Sequence, residues 1–213
     1  MKKGIILIAI GFLLLAIDIP ISVGNPYPPM ETVEDLGQVI QETIINNLIG
    51  RSPRIDIISD LLGFIFLFIG AFILLRYNKG LILGMILIPC AIYLYFAIMQ
   101  QPYYIIVHRD LYLKSLAYHF LFVFIEITIE LIIIKAVIAM VELNQTKWNI
   151  NELLIGWILA MISKGVLAGI QFFYGRGLLY IIYSVILIGA TIFYLNRLYV
   201  ITKYKLEGID DKK

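Results

Sequence analysis

Apolar residues run through this chain in long unbroken stretches, such as IILIAIGFLLLAI and LIIIKAVIAM, rather than in alternation. A strand with one wet face repeats with period two, and these stretches do not. Surrounded by hydrocarbon, a backbone finds no water, so only helices and closed barrels satisfy its polar groups. A barrel would alternate apolar and polar positions; continuous runs predict helices. A helix needs ~20 mostly apolar residues to cross a bilayer. Six stretches qualify, at about 4–23, 57–75, 81–99, 112–141, 152–173 and 177–199. The expected fold class is all-α: an integral membrane bundle of six transmembrane helices, forming a single domain over 1–213.

The main polar interruption spans about 24–56. It opens with Pro26-Tyr27-Pro28-Pro29, which cannot be helix interior. In the segment that follows, Val33, Leu36, Ile40, Ile44 and Leu48 recur at spacings of three and four. That pattern predicts an amphipathic helix over about 31–49, in the first extracytoplasmic loop. It would lie on the outer membrane surface, cap the bundle, or dock a membrane-protein partner. Its polar face carries Glu31, Glu34, Asp35 and Glu42, which argues against strong binding to anionic lipid.

Composition sharpens the class. Hydrophobic residues make up 61% and charged residues 15%, against ~45–50% and ~25% in ordinary globular domains. Disordered and ordinary soluble domains are excluded, and the lipid bilayer is the expected partner. A net charge of +2 is too weak to suggest nucleic acid. The single cysteine, Cys90, excludes an intrachain disulfide; after Pro89 in an apolar run, it reads as a small buried hydrophobe. The first stretch starts like a signal peptide, with Lys2 and Lys3. It ends in Asp18-Ile19-Pro20 without a small-x-small cleavage site, so an uncleaved helix is expected.

Six spans put both termini on one side. With cytoplasmic termini, the inner segments hold Lys2, Lys3, Arg76, Lys79, Lys147, Arg197, Lys203, Lys205, Lys212 and Lys213. The outer segments hold only Arg51, Arg54, Arg109, Lys114 and Arg176. The positive-inside rule therefore predicts cytoplasmic termini. Tyr103, Tyr104 and Tyr112 suit the outer interface; Trp148, Trp157 and Tyr199 suit the inner one.

The costly groups lie within two spans. An ionisable side chain at mid-membrane costs at least ~2.5–3.5 kcal/mol, so it is kept only where paired, hydrated or useful. In the fourth span, Glu126 and Glu130 are four apart and share a helix face, and His119, seven before Glu126, joins the stripe. Lys135 falls on the opposite face, near the inner end, where it can snorkel. The fifth span carries Lys164. At ~1.5 Å per residue from each span's centre, Lys164 and Glu126 reach similar depth on antiparallel helices. An ion pair between them is expected, with Gly165 and Gly169 at small-xxx-small spacing admitting a close neighbour. Such a pair either fixes helix packing or forms a site for a proton, cation or small polar solute.

Arg54-Ile55-Asp56-Ile57-Ile58-Ser59-Asp60 opens the second span. Asp56, Ser59 and Asp60 are good helix starters, because their side chains accept orphan backbone N–H bonds. Asp18 ends the first span on the same side, so Asp18, Asp56 and Asp60 are secondary candidates for an outward-facing acidic cluster. The segments LLLAIDIPI and IDIISDLLGFIFLFIGAFILL resemble a group of small, uncharacterised multipass membrane proteins of Gram-positive bacteria. In that group an aspartate closes the first helix and Asp-x-x-Pro-Asp-x-x-Gly opens the second. Asp56, Asp60 and Gly63 match, and Ser59 replaces the proline. The likeness covers the first two spans, and the long acidic loop between them departs from the group's short connection. It implies a bacterial plasma-membrane protein and no particular activity.

Other motifs carry little. His108-Arg109-Asp110 spells a kinase catalytic loop without its companion motifs. Asn144-Gln145-Thr146 is a glycosylation sequon in an expected inner loop. Glu126 and Glu130 resemble the glutamates of intramembrane metalloprotease-like families. Those families add histidines on neighbouring helices, and His119 stands ~10 Å along the axis from Glu126, too far to share one ion. No metal and no cofactor is expected, and the chain is not read as an enzyme. Three classes stay open: transport or binding of a small solute, cation or proton at a polar site between the fourth and fifth helices; a non-catalytic accessory or assembly subunit; and, weakest, an intramembrane enzyme.

Overall fold

Long apolar runs become helices throughout the computed structural model, which describes residues 1–17, 20–22, 54–56, 60–99, 109–141, 147–173 and 178–210, with side chains over 1–17, 60–98, 117–141, 149–170 and 178–203. In chain order these are α1 (Lys2–Ala16), β1 (Pro20–Ser22), β2 (Arg54–Asp56), α2 (Asp60–Leu74), α3 (Leu81–Met99), α4 (Arg109–Val141), α5 (Lys147–Phe173) and α6 (Leu178–Asp210). The two short strands form an antiparallel ribbon with Pro20 opposite Asp56 and Ser22 opposite Arg54.

The first two helices are shorter than their apolar runs suggest. α1 stops at Ala16, not near residue 23, and Ile17 leaves the helix with φ −105° and ψ 83°. Pro20 explains the early end: it has no N–H to donate and disfavours helical geometry just before it. The second run, expected from residue 57, is a helix over Asp60–Leu74, with Arg54–Asp56 a strand and residues 57–59 outside the described residues. Asp56 is therefore a strand residue, not the helix starter that the sequence suggested. The amphipathic helix expected over 31–49 and Asp18 lie outside the described residues.

Among the described residues, three helices are long and apolar enough to cross a membrane, over Leu81–Ile98, Asn149–Ile170 and Leu178–Lys203. The sequence pattern predicts six. α1 and α2 have 15 residues each; at 1.5 Å per residue they reach about 22 Å, short of the ~30 Å hydrocarbon core. α4 has 33 residues but holds Glu126, Glu130 and Lys135.

The helices form three antiparallel hairpins, α1–α2, α3–α4 and α5–α6, and follow one another around a closed ring in which α6 returns to α1. The closest approach is between α1 and α2, where four glycines face each other. A Cβ on Gly4 would stand 3.1 Å from the carbonyl oxygen of Gly70, and one on Gly11 would stand 2.9 Å from that of Gly63. Backbones this close exclude any side chain. Gly156 plays the same role between α5 and α6, where a Cβ would meet the Phe193 ring at 2.6 Å. Gly165 and Gly169 do not: a Cβ on either meets nothing within 4 Å among the described residues. The helix contact expected there from small-xxx-small spacing is made elsewhere.

Between α2 and α3 the turn is fixed by Asn78. Its carboxamide oxygen accepts the Gly80 N–H at 2.8 Å, and its NH₂ donates to the Ala136 carbonyl on α4 at 3.0 Å. Large apolar side chains also face outward, among them Phe72, Tyr93, Phe124, Ile155 and Val185. Cys90 lies on this exposed surface, contrary to the buried position expected, with its thiol 3.8 Å from the Ile86 carbonyl. Trp157, expected at an interface, is buried, and its indole N–H has no partner among the described residues. Tyr199 is exposed, and so is Lys135, which points away from the glutamate face as its spacing predicts.

Candidate functional site

Three charges meet inside the ring. Lys164 on α5 donates from Nζ to Glu126 Oε1 at 2.7 Å and to Glu130 Oε1 at 2.8 Å. All three residues are buried, with relative exposures of 7% for Lys164, 4% for Glu126 and 1% for Glu130. The geometry follows from helix periodicity. Glu126 and Glu130 stack one turn apart on α4, and an ammonium entering from the antiparallel α5 sits between them. A long, flexible lysine suits this role, since its compact charge can serve two acceptors at once.

A third helix completes the cluster. The hydroxyl of Tyr194 on α6 donates to Glu130 Oε2 at 3.3 Å, and the Tyr194 ring meets Phe12 of α1 edge-on at 6.0 Å. Two other buried hydroxyls are satisfied locally. Ser163 and Thr202 donate to the carbonyls of Leu159 and Leu198, four residues back, at 2.8 and 2.9 Å. A separate ion pair, Arg197 Nε to Glu152 Oε2 at 3.0 Å, ties α6 to α5 and is partly exposed.

One face of the cluster opens on a cavity of about 350 Å³. Its walls come from the end of α1, the start of α2, and α4, α5 and α6. Glu126 and Lys164 form its polar floor, Asp60 stands at the start of α2, and most of the remaining lining is apolar, including Leu15, Phe122, Leu167 and Ile181. Pockets that hold small molecules share this balance of apolar wall and few polar groups.

The candidates named from sequence therefore separate. Glu126, Glu130 and Lys164 converge, and Asp60 lines the same cavity as Glu126 and Lys164. Asp56 lies in β2, and Asp18 falls outside the described residues. His119 is half-buried on α4, two turns before Glu126, and does not line the cavity. Sequence reasoning missed Tyr194. A tyrosine among FYLNRLYV looks like an interface anchor, yet a buried phenol needs a partner, and a span rich in buried carboxylates supplies one. Among the described residues no group of three His, Cys, Asp or Glu side chains is arranged to hold a metal ion.

The charge balance sets what the arrangement can do chemically. Two carboxylates share one ammonium, so with all three ionised the buried cluster carries one excess negative charge. A further negative ion beside two buried carboxylates is costly, so the cluster disfavours an anion. Compared with protein-family models, curated proteins and solved structures, the chain matches none.

Proposed function

We propose that this chain is a multi-pass bacterial plasma-membrane protein that binds or transports a small solute, cation or proton at the polar cluster between α4 and α5. All six helices are membrane-embedded in this reading, with α1 and α2 as short spans held together by their glycines. The outward-facing aliphatic and aromatic side chains support it, because such a surface is stable against lipid and not against water. Both termini face the cytoplasm, which the lysine and arginine distribution favours.

One observation carries the functional part. Two members of the cluster, Glu126 and Lys164, line a cavity that extends to Asp60. A packing device alone needs no such space. The test is substituted-cysteine labelling in a Cys90→Ala background, with Val123→Cys, Ala168→Cys and Ser184→Cys on the cavity wall. A charged, membrane-impermeant thiol reagent added to intact cells should modify all three. Modification only after denaturation would mean a dry interior.

That second outcome would favour the other reading, a non-catalytic accessory or assembly subunit. The observation on its side is that both carboxylates reach the ammonium within 2.8 Å, as in an ion pair that selects helix neighbours.

A further inference from the structure

We propose that the end of the bundle formed by the start of α1 and the α2–α3 turn binds the headgroup of an anionic phospholipid. This surface is at the opposite end of α1 and α2 from the cavity. It rests on the reading above only for its membrane placement.

Chain topology supplies the first step. α1 and α2 are antiparallel, so Lys2 and Lys3 at the start of one stand at the same end as Arg76 and Lys79 just beyond the other. The two ends touch: a Cβ on Gly4 would lie 2.7 Å from Leu74, and the Met1 nitrogen lies 3.5 Å from the Tyr77 hydroxyl. Asn78 ties the turn to the Ala136 carbonyl of α4 at 3.0 Å, which brings Lys135, the residue before it, to the same level. Lys2, Lys3, Arg76, Lys79 and Lys135 are all exposed. Among the described residues none of the five forms an ion pair. Asp60 is the one carboxylate whose side chain is described on α1, α2 or α3, and it is at the far end of α2. Cations gathered in this way make a positive surface that attracts anions.

What lies beside the charge supplies the second step. Ile6 on α1, Phe72 on α2, and Ile82 and Leu83 on α3 are exposed, each within four residues of one of these cations. A nucleic acid or an acidic protein would cover the charges and leave this apolar surface to water. A phospholipid fits both, with its phosphate against the cations and its acyl chains along the apolar side chains. The Arg76 guanidinium lies over the Tyr77 ring, 4.6 Å from its centre. Stacking of this kind leaves the N–H edges of the guanidinium for phosphate oxygens, and tyrosine is a common anchor at headgroup depth. A zwitterionic headgroup brings its own ammonium, which the five cations repel, so the surface selects an anionic lipid.

The experiment uses the full chain in neutral-detergent micelles, with phosphatidylglycerol and phosphatidylcholine of matched acyl chains added in equal amounts. Native mass spectrometry counts the lipids kept on each chain. The protein should keep phosphatidylglycerol in preference. Arg76→Gln combined with Lys79→Gln should cut that preference by about tenfold or more, since each cation near a charged headgroup contributes on the order of fivefold. Lys203→Gln combined with Lys205→Gln removes the same charge from α6 and should change it far less. Inorganic phosphate in excess should not displace the lipid. Equal retention of the two lipids, or an equal loss from the α6 variant, overturns the site. Displacement by phosphate overturns the lipid as its ligand. Because the competition between lipids is read on the parent chain, a misfolded variant does not blunt the test. If a chain that needs detergent to stay soluble keeps neither lipid, this inference alone falls; a chain that stays monomeric without detergent takes the membrane placement with it.

Discussion

Removing the ammonium at the centre of the cluster is the most discriminating perturbation. At an effective dielectric of about 20, unit charges at the observed 2.7 and 2.8 Å attract by about 6 kcal/mol per pair. The two carboxylate oxygens on Lys164 can be no more than about 5.5 Å apart, so they repel by about 3 kcal/mol or more on the same scale. The Coulomb gain of the triad is then about 9 kcal/mol at most. Desolvating three ions costs several kcal/mol each, which cancels most or all of it. The intact cluster contributes little net stability, but its parts are not separable. Lys164→Met removes the ammonium that the two buried carboxylates share, and should destabilise by roughly 3–5 kcal/mol, the range for broken buried pairs. The lower end applies if one carboxylate takes up a proton. The triple variant Glu126→Gln, Glu130→Gln, Lys164→Met should recover to within about 1 kcal/mol of the parent, because no unpaired charge remains. Reversible unfolding in mixed micelles, followed by tryptophan fluorescence, measures both. A single variant as stable as the parent, or a triple variant as damaged as the single, would refute the reasoning.

Four further substitutions test the surrounding structure with the same unfolding assay. Gly70→Ala places a Cβ 2.9 Å from the Gly4 carbonyl oxygen, which cannot move without α1, and should cost about 1–3 kcal/mol; Gly165→Ala meets nothing within 4 Å and should instead gain about 0.5–1 kcal/mol from helix propensity. Tyr194→Phe removes the 3.3 Å hydrogen bond to Glu130 and keeps the ring against Phe12, for a loss of about 1 kcal/mol. Asn78→Ala removes the bond to the Ala136 carbonyl and the Gly80 turn contact together, and should cost about 1–2 kcal/mol.

The central ion pair was legible because it follows from two one-dimensional quantities, depth along a helix and angle around it. Glu126, Glu130 and Lys164 are few, charged and surrounded by apolar residues, so placing the ammonium between the two carboxylates is the arrangement that pairs all three. Other features depend on which helix lies beside which, and the sequence pattern does not carry that. Gly165 and Gly169 have the spacing that permits close packing, but permission is not contact: among the described residues nothing stands within 4 Å of a Cβ at either. Gly4 with Gly11, and Gly63 with Gly70, repeat at seven residues on two neighbouring helices, and that matched spacing is the stronger signal for a shared face. Hydropathy likewise measured apolar length and not helix length, so Pro20 and the strand at Arg54–Asp56 shortened two spans unseen. Asp60 shows the same limit from the functional side. As a residue at a helix start it reads as a cap, and only the ring closure of α6 onto α1 turns the space beside it into a cavity shared with Lys164. Chemistry-bearing residues were therefore readable one at a time, while the site they form became visible only once the helix neighbours were known.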